Sequence, residues 1–508
     1  MNTLFGFLSR ALGYGSRHAA PATHEAPAAG PRLRHGLWFA FLSLSLLPGL
    51  SGSAFAAGWS DSALINNPVC TAANDQYDPQ IAADAAGGAI ITWRDNRNGT
   101  NNDIYAQRYD AAGAPQWTAD GIAVCTAGSD QSNPQIAADA AGGAIITWQD
   151  FRSGTTPDIY AQRVNAAGAP QWTANGIAVS TAANWQDQPQ IVVDAAGGAF
   201  ITWQDYRNGT NYDIYAQRIN AAGAPQWTAD GIAVSTAAVS QESPQIAADA
   251  AGGGIITWQD YRSGEADVYA QRVNAAGAPQ WTADGVAVST AANQQYSSQI
   301  ATDGAGGAII TWYDYRSGTN YDIYTQRINA AGAPQWTADG IAVCAAANQQ
   351  YSPQIAADAA GGGIITWQDY RSGTADIYAQ RVDAAGAAQW TADGIAVCAA
   401  ADSQDYPQIA ADAAGGAIIT WRDYRSGFTP DIYAQRVNAA GASQWAANGI
   451  AVSTAAGYQD NPNIVADASG AAIITWQDYR SGTNNDIYAQ HISGGGILPV
   501  TMSAFTAE

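Results

Sequence analysis

The sequence predicts an all-β fold, an eight-bladed β-propeller of four-stranded blades, on three observations. One unit of 54 or 55 residues repeats eight times, and the Trp of its I-T-W phrase stands at Trp93, Trp148, Trp203, Trp258, Trp312, Trp367, Trp421 and Trp476. The apolar stretches of each unit are short, rich in Ile, Val, Tyr and Trp, and separated by Gly, Asn and Asp, which is typical of strands and turns. The last unit lacks its final strand, and the N-terminal segment Asn67–Cys70 supplies a degenerate copy of it.

Each unit is predicted to contain four antiparallel strands and no helix. In the second unit these are strand a around Ile136, strand b at Ala144–Asp150, strand c at Asp158–Val164 and strand d at Ile177–Ser180. An open solenoid would need atypical capping repeats at both ends, and a 55-residue unit is small for an independent sandwich domain. A closed ring, whose last blade is built from both chain ends, therefore fits best.

The first 56 residues are predicted to be a signal peptide with an extended leader. A basic leader precedes the apolar run from Leu37 to Leu50, which is shorter than the roughly 20 residues that span a bilayer. A small-residue cleavage site, Ala54-Phe55-Ala56, follows. An uncleaved signal anchor and a buried strand are the alternatives. We expect residues 57–493 to form the propeller, residues 494–508 a Gly linker and truncated tail, and the mature protein to be secreted or at the cell surface without membrane insertion.

Composition narrows the classes of partner. The chain has a formal net charge of −22 and contains no lysine, so a nucleic-acid partner is not expected. His491 is the sole histidine after the leader, so neither a histidine-ligated metal site nor a Ser-His catalytic pair is favoured. We expect no cofactor; calcium is chemically compatible with the Asp-bearing turns, but no D-x-D-x-D-G loop is present.

The phrase W-x-D-x-R places one Asp and one Arg after strand b of every unit. These carboxylates could be general acids or calcium ligands. A catalytic site needs one constellation, whereas this one occurs eight times, so we predict structural Asp–Arg pairs that tie the b–c hairpin. The predicted pairs are Asp95 and Arg97, Asp150 and Arg152, Asp205 and Arg207, Asp260 and Arg262, Asp314 and Arg316, Asp369 and Arg371, Asp423 and Arg425, and Asp478 and Arg480.

Two Trp in each unit, such as Trp148 and Trp172, are predicted to wedge between blades. Cysteine occurs four times, at Cys70, Cys125, Cys344 and Cys398, always where other units have Ser at the end of strand d. Equivalent positions of neighbouring blades should lie beyond the roughly 7 Å Cα separation that a disulfide allows. We therefore expect four free, partly buried thiols.

Comparison of the units with one another predicts a diversified face. The a–b and c–d turns hardly vary, whereas the d–a linkers and b–c tips do, and those two kinds of connection emerge on the same side of a propeller. Aromatic rings among Gln, Asn and Asp suit recognition of sugars or protein surfaces, although neutral drift of solvated loops would also produce variation. The candidate ligand-binding residues are Tyr77, Trp185, Tyr212, Tyr296, Tyr321, Tyr351, Tyr406, Phe428 and Tyr458.

Two phrases carry a resemblance to a known class. D-A-A-G-G-A-I-I-T-W-Q-D-Y-R-S-G and D-I-Y-A-Q-R-V-N-A-A-G-A-P-Q-W resemble repeats of secreted bacterial proteins regarded as β-propellers, over Gly58 to about Ser493. That resemblance implies the fold and says little about activity. The chain is also similar to tryptophan-aspartate repeat propellers, without their G-H and W-D signatures. The tail from Ile497 resembles the start of a type IX secretion C-terminal sorting region, whose module is missing.

These observations predict a non-catalytic binding scaffold that acts as a monomer and recognises a glycan or an extracellular protein. Eight similar, individually weak sites could act together through effective concentration. The alternative is a glycan-degrading hydrolase, sialidase-like or another glycosidase, with a symmetry-broken central pocket. Its carboxylates would be Glu242 and Glu265, which lie in neighbouring loops of one unit.

Overall fold

The computed structural model describes residues 58–60, 62–249, 251–467 and 469–496. These residues form eight four-stranded antiparallel sheets arranged as the blades of a β-propeller, with no helix among them. The predicted eight-bladed, all-β fold is thus confirmed. The predicted signal peptide, residues 1–56, and the tail from Ile497 lie outside the described residues. Within the described ranges, no helix has the length and apolar character needed to cross a membrane.

The strands of the first four blades follow the chain. Blade 1 contains β2 (Gln76–Ala83), β3 (Ala89–Asp95), β4 (Asp103–Tyr109) and β5 (Ile122–Cys125); blade 2 contains β6 (Gln131–Ala138), β7 (Ala144–Asp150), β8 (Asp158–Val164) and β9 (Ile177–Ser180). Blade 3 contains β10 (Gln186–Val193), β11 (Ala199–Asp205), β12 (Asp213–Ile219) and β13 (Ile232–Ser235); blade 4 contains β14 (Gln241–Ala248), β15 (Gly254–Asp260), β16 (Asp267–Val273) and β17 (Val286–Ser289).

The remaining blades have the same order. Blade 5 contains β18 (Gln295–Thr302), β19 (Ala308–Asp314), β20 (Asp322–Ile328) and β21 (Ile341–Cys344); blade 6 contains β22 (Gln350–Ala357), β23 (Gly363–Asp369), β24 (Asp376–Val382) and β25 (Ile395–Cys398). Blade 7 contains β26 (Gln404–Ala411), β27 (Ala417–Asp423), β28 (Asp431–Val437) and β29 (Ile450–Ser453); blade 8 contains β30 (Gln459–Ala466), β31 (Ala472–Asp478), β32 (Asp486–Ile492) and the N-terminal strand β1 (Asn67–Cys70).

The two chain ends meet in blade 8. Strand β1 pairs antiparallel with β32 as its outermost strand, and the inner strand β30 contacts β2 of blade 1. Trp59 takes the place of the Trp that precedes strand d in the other units and that the last unit lacks. Its indole Nε1 donates to the Ala111 carbonyl at 3.2 Å, as that of Trp117 donates to the Ala166 carbonyl at 3.1 Å one blade later. A Cβ on Gly113 would lie 2.7 Å from the Trp59 ring, so this turn requires glycine.

The innermost strand begins earlier than the sequence predicts. Strands b, c and d of blade 2 have the predicted bounds, but strand a starts at Gln131, inside the stretch assigned to the linker. Its pairing with β7 shifts register between Ser132 and Gln135, and the bulged residue Asn133 has a φ of 49°. This bulge recurs in every inner strand.

The core consists of eight equivalent clusters between blades. Trp148 of blade 2 is fully buried against Ile104, Val124 and Cys125 of blade 1, and the other strand-b Trp lie in corresponding clusters. Truncation of a buried Trp to Ala costs about 3–5 kcal/mol of folding free energy. These Trp therefore hold neighbouring blades together and are buried away from any ligand.

Candidate functional site

The repeated Asp–Arg pairs form one hydrogen-bonded network in each blade. In blade 2, Asp150 Oδ2 accepts hydrogen bonds from Trp148 Nε1 at 2.7 Å and from the Arg152 guanidinium at 2.5 Å. Arg152 also donates to the Asn175 carbonyl, before strand d, and lies 3.9 Å from the centre of the Tyr160 ring. The network therefore ties the b–c hairpin to the start of strand d. Because Asp150 is fully buried and hydrogen-bonded on both oxygens, it directs no lone pair at solvent.

The second Arg of each unit links blades on the uniform face. Arg163 pairs with Asp139 at the a–b turn of its own blade at 2.8 Å and donates to the Ala221 carbonyl in the c–d turn of blade 3. In blade 8, where His491 replaces this Arg, its Nε2 lies 3.1 Å from Asp467 Oδ2. Burial alone would raise the pKa of Asp467, but hydrogen bonds from Ser469 and His491 hold it below its ordinary value.

The four cysteines are free and buried. Cys125 Sγ accepts a hydrogen bond from Arg152 at 3.2 Å, and Ser180 Oγ occupies the corresponding place beside Arg207 at 3.5 Å. Burial raises the pKa of the Cys125 thiol to about 12. Such a thiol remains protonated at neutral pH and is a poor nucleophile.

The diversified connections share one face of the ring. The linker residue Gln131 donates its backbone N–H to the Asn102 carbonyl in the b–c tip of blade 1, and Phe151 of the tip in blade 2 donates to Asp130. Variable side chains therefore meet where neighbouring blades adjoin on this loop face. We call each such junction a seam and name it by the two blades that form it.

Six tyrosines meet at the seam between blades 5 and 6. Tyr313 lies 5.8 Å from Tyr296, 5.0 Å from Tyr321 and 5.6 Å from Tyr351, measured between ring centroids. Tyr315 and Tyr370 extend the group, at 4.7 Å from Tyr321 and 5.9 Å from Tyr351. We call these six the tyrosine cluster. All six residues are half-buried, so part of each remains in contact with solvent.

The tyrosine cluster carries neutral hydrogen-bonding groups. Burial, with smaller contributions from neighbouring tyrosines, raises the pKa of Tyr321 to about 12, and burial likewise raises the pKa values of Tyr296 and Tyr351. The phenols of these three tyrosines are therefore protonated at neutral pH and able to donate or accept hydrogen bonds. Flat apolar rings with hydroxyl groups at their edges form an amphipathic surface.

The seam between blades 7 and 8 has ionic side chains at the corresponding positions. Arg422, which corresponds to Tyr313, bridges Asp405 of blade 7 and Asp460 of blade 8, each at 2.7 Å. Its guanidinium also lies 3.9 Å from the centre of the Tyr406 ring. We call this group the arginine seam.

Carboxylates without a cationic partner occupy the seam between blades 3 and 4. Tyr212 donates its hydroxyl to Asp187 Oδ2 at 3.3 Å, while Asp187 Oδ1 is buried and has no hydrogen-bond partner among the described residues. Burial, with a smaller contribution from the charge of Glu242, raises the pKa of Asp187 to about 6, against the hydrogen bonds that lower it. Burial also raises the pKa of Glu242 and of the adjacent Tyr261.

The axis of the ring contains a polar cavity of about 310 Å³. Its wall consists of the bulged residue, the following proline and the following amide of several inner strands, such as Asn133, Pro134 and Gln135. Tyr406 projects at its rim from a bulge position with a φ of 52°, a conformation that Asn and Asp tolerate better than Tyr. The repeated P-Q-I phrase marked these amides in the sequence, but the predicted site omitted them.

A second opening lies between the tips of blades 6 and 7. It has a volume of about 520 Å³ and includes Asp402, Tyr424 and Phe428. The Phe428 side chain is 104% exposed and is the most exposed large hydrophobic residue among those described. An aromatic ring in this position can contact a ligand that extends beyond the tyrosine cluster.

The structure brings together three of the nine predicted ligand-binding residues, Tyr296, Tyr321 and Tyr351. It adds Tyr313, Tyr315 and Tyr370, which the comparison of loops missed because they lie in or directly after strand b.

The other six predicted residues are spread over blades 1, 3, 7 and 8. Tyr77 lies beneath Arg94, Tyr212 against Asp187, Tyr406 beside Arg422, and Tyr458 stacks on Tyr479 at 4.7 Å, while Trp185 and Phe428 are exposed on blades 3 and 7.

The two glutamates of the hydrolase alternative have different surroundings. Glu265 is exposed at the tip of blade 4 and accepts a hydrogen bond from the Gln294 side chain of the next linker. Glu242 lies in strand β14, and its charge raises the pKa of Asp187 across the seam between blades 3 and 4. Across the described residues, no group of three or more His, Cys, Asp or Glu is placed to hold a metal ion.

No family model and no curated protein matches the chain. Among solved structures, an ulvan lyase is 10% identical, with a TM-score of 0.45 over 87% of this chain and 96% of that one. A protein of unknown function from Dyadobacter fermentans is 12% identical, with a TM-score of 0.38 over 60% and 94%. The endo-arabinase of Bacteroides thetaiotaomicron is 14% identical, with a TM-score of 0.29 over 55% and 99%. At these values no activity is transferred, and the propeller assignment depends on the blade topology.

Proposed function

We propose that the protein is a glycan-binding scaffold outside the cell and that the tyrosine cluster is its principal binding surface. The observation that carries the proposal is the convergence of six half-buried tyrosines from two blades, in which the centroids of neighbouring rings lie 4.7–6.4 Å apart. Sugar rings have apolar C–H faces and a rim of hydroxyl groups. Aromatic rings with neutral hydroxyls at their edges complement both features.

The position of the cluster supports a binding role over a purely structural one. The strand-b Trp already fill the interblade core, and the Asp–Arg networks already tie the hairpins in all eight blades. Tyr313 is therefore not needed to close a seam, because five other blades have Gln at its position: Gln149, Gln204, Gln259, Gln368 and Gln477. Interfaces concentrate binding energy in aromatic side chains such as these.

The extended shape of the aromatic surface favours a chain of sugars over a single ring. Tyr370 lies at the blade 6 end of the cluster, and Phe428 stands beyond it at the blade 7 tip. A linear oligosaccharide that follows the loop face could contact both. Several weak stacking contacts along one chain would add through effective concentration.

The proposal is tested by binding of the purified protein to a panel of polysaccharides, scored for retained protein and for released sugar. We expect retention without release, and at least a tenfold loss of affinity in Tyr351→Ala. The matched control is Tyr406→Asn, which removes an aromatic residue of the arginine seam and introduces the amino acid that blade 2 has there. Equal losses in both variants would contradict the assignment of the tyrosine cluster.

The hydrolase alternative is decided by the same assay. Asp187 and Glu242 are partly buried acids on the loop face whose pKa values lie above those of ordinary carboxyl groups, which is a property of general acids. Released sugar that disappears in Asp187→Asn or Glu242→Gln, with binding retained, would overturn the non-catalytic proposal. Loss of release in Glu265→Gln instead would assign the chemistry to the tip of blade 4.

A further inference from the structure

The charges of the described residues restrict the chemistry of the ligand. Each described arginine lies within 2.5–3.6 Å of an aspartate carboxylate, and the sequence contains no lysine. All of the described arginines except Arg94 also donate a hydrogen bond to an aspartate carboxylate, so their charges are already paired when a carboxylate or sulfate of a ligand approaches.

The two arginines of the loop face that lie outside the repeated networks are also neutralised. Arg422 is hydrogen-bonded to both Asp405 and Asp460, whereas Arg94 has a looser ion pair with Asp78, at 3.6 Å and without a hydrogen bond. Proteins that recognise carboxylate or sulfate groups usually present Arg in a bidentate arrangement. Arg422 already makes two such contacts to Asp405, through Nε and Nη2 at 2.7 and 2.9 Å.

Carboxylates flank the tyrosine cluster on the side of blade 4. Glu265 is exposed at the blade 4 tip, and its charge raises the pKa of Tyr296 together with burial. Asp187 and Glu242 lie one seam further on, in an environment that already disfavours two negative charges. An anionic sugar on the cluster would meet these charges, and the whole chain adds a net charge of −22.

We infer that the glycan recognised by the tyrosine cluster carries no carboxylate or sulfate groups. The inference rests on the proposed glycan-binding function and narrows it to neutral polysaccharides. Recognition then depends on stacking and hydrogen bonds to hydroxyl groups, neither of which is weakened by the screening of charges.

The test compares matched polymers that have the same sugar backbone and that do or do not carry carboxylate groups. Methyl-esterified galacturonan is presented beside its de-esterified product, and neutral glucans, xylans and galactomannans are presented beside their carboxymethylated derivatives, at low and at high salt. We expect each charged derivative to bind at least tenfold more weakly than its parent at low salt. The deficit should shrink at high salt, because ions screen the repulsion.

A charge variant adds a second readout. The double variant Asp187→Asn, Glu242→Gln should reduce the difference between parent and derivative at low salt. The matched control, Asp110→Asn with Asp383→Asn, removes two charges at c–d turns on the other face, where the remaining complete units have Asn, and should leave the difference unchanged. Equal effects of the two variants would show that the net charge of the protein alone excludes anionic ligands. That result would overturn the claim that the carboxylates beside the tyrosine cluster exclude them.

The outcomes separate the two proposals. Binding of charged derivatives as tightly as their neutral parents, or more tightly, would overturn the inference and leave glycan binding intact. Retention of none of these polymers, neutral or charged, would overturn the proposed function and the inference that rests on it.

Discussion

The seams between blades 5 and 6 and between blades 7 and 8 have the same backbone and contrasting side chains. Both join an inner strand to the strand b of the preceding blade, and both retain the buried Trp, Asp and Arg of the repeat. The first presents Tyr313 and Tyr351 to solvent, whereas the second presents Arg422 and Asp460, which neutralise each other. The repeat therefore supplies stability in every blade, while a few strand positions determine what each seam can bind.

The largest expected effect is on the stability of the arginine seam. Arg422→Gln introduces the residue that five other blades have at this position, but it leaves Asp405 and Asp460 without a counter-charge. We expect the free energy of unfolding to fall by about 1–3 kcal/mol, less than for a fully buried ion pair because solvent reaches this one. Denaturant unfolding of Arg422→Gln beside Arg94→Gln checks this, since Arg94 has a single, longer ion pair. An equal loss in both variants would contradict the bridging role of Arg422.

The matched change in the tyrosine cluster should affect binding more than folding. Tyr313→Gln removes the ring that contacts Tyr296, Tyr321 and Tyr351, and it inserts the same common residue. We expect about a tenfold weaker affinity for a neutral polysaccharide, which corresponds to about 1.4 kcal/mol. Titration calorimetry measures the affinity, and Arg422→Gln serves as the control that should retain it. Unchanged affinity in Tyr313→Gln would exclude the cluster as the main surface.

The seam between blades 3 and 4 differs from both, because its carboxylates have no arginine as an ion-pair partner. The pKa of Asp187, about 6, lies above that of an exposed aspartate because the side chain is buried. Asp187 therefore favours folding below about pH 4, where it is protonated in both states, and this contribution is lost as pH rises through about 6.

Asp187→Asn should thus stabilise the protein at pH 8 by about 1 kcal/mol, after allowance for solvent screening, and have little effect at pH 4. Thermal unfolding of both proteins across this range measures the difference. A difference that stays constant with pH would exclude titration of Asp187 as its source. Asp110→Asn, at an exposed turn on the other face, is the control for the loss of one charge.

The smallest expected effect concerns the outer ends of the two seams. Cys344 contacts Asp369 and Arg371 behind the tyrosine cluster, and Ser453 contacts Arg480 at the corresponding place behind the arginine seam. Because the two residues occupy equivalent positions, Cys344→Ser should change the free energy of unfolding by less than about 0.5 kcal/mol. Thermal unfolding checks this, and a loss of several kcal/mol would show that the thiol has a packing role that serine cannot replace.

The repeat made the scaffold predictable from the sequence. Equal spacing of the strand-b Trp predicts the number of blades, and strands β7, β8 and β9 have the bounds that turn residues on either side predict. The eightfold identity of Asp150, Arg152 and their equivalents likewise predicts a structural network. These features depend on local patterns that each unit repeats.

The site was less predictable because it depends on strand alternation and on contacts between units. Tyr77, Tyr296 and Tyr351 follow the first Gln of the inner strand, Tyr406 falls one residue later at the bulge, and Trp185 and Tyr458 precede that Gln. One residue of displacement turns a side chain to another side, so similar loops direct their rings differently. Tyr313 was not predicted as a site residue because it lies within a strand. Its contact with Tyr351 depends on how blade 6 packs against blade 5, which the sequence of one unit does not show.

The most direct test of the tyrosine cluster is a crystal structure of the protein with a neutral oligosaccharide from the polymer that binds best. We expect sugar rings stacked on Tyr313 and Tyr351, with sugar hydroxyl groups hydrogen-bonded to the phenols of the cluster and no contact with Arg422. A sugar bound instead in the axial cavity, or at the arginine seam with the tyrosine cluster unoccupied, would contradict this expectation.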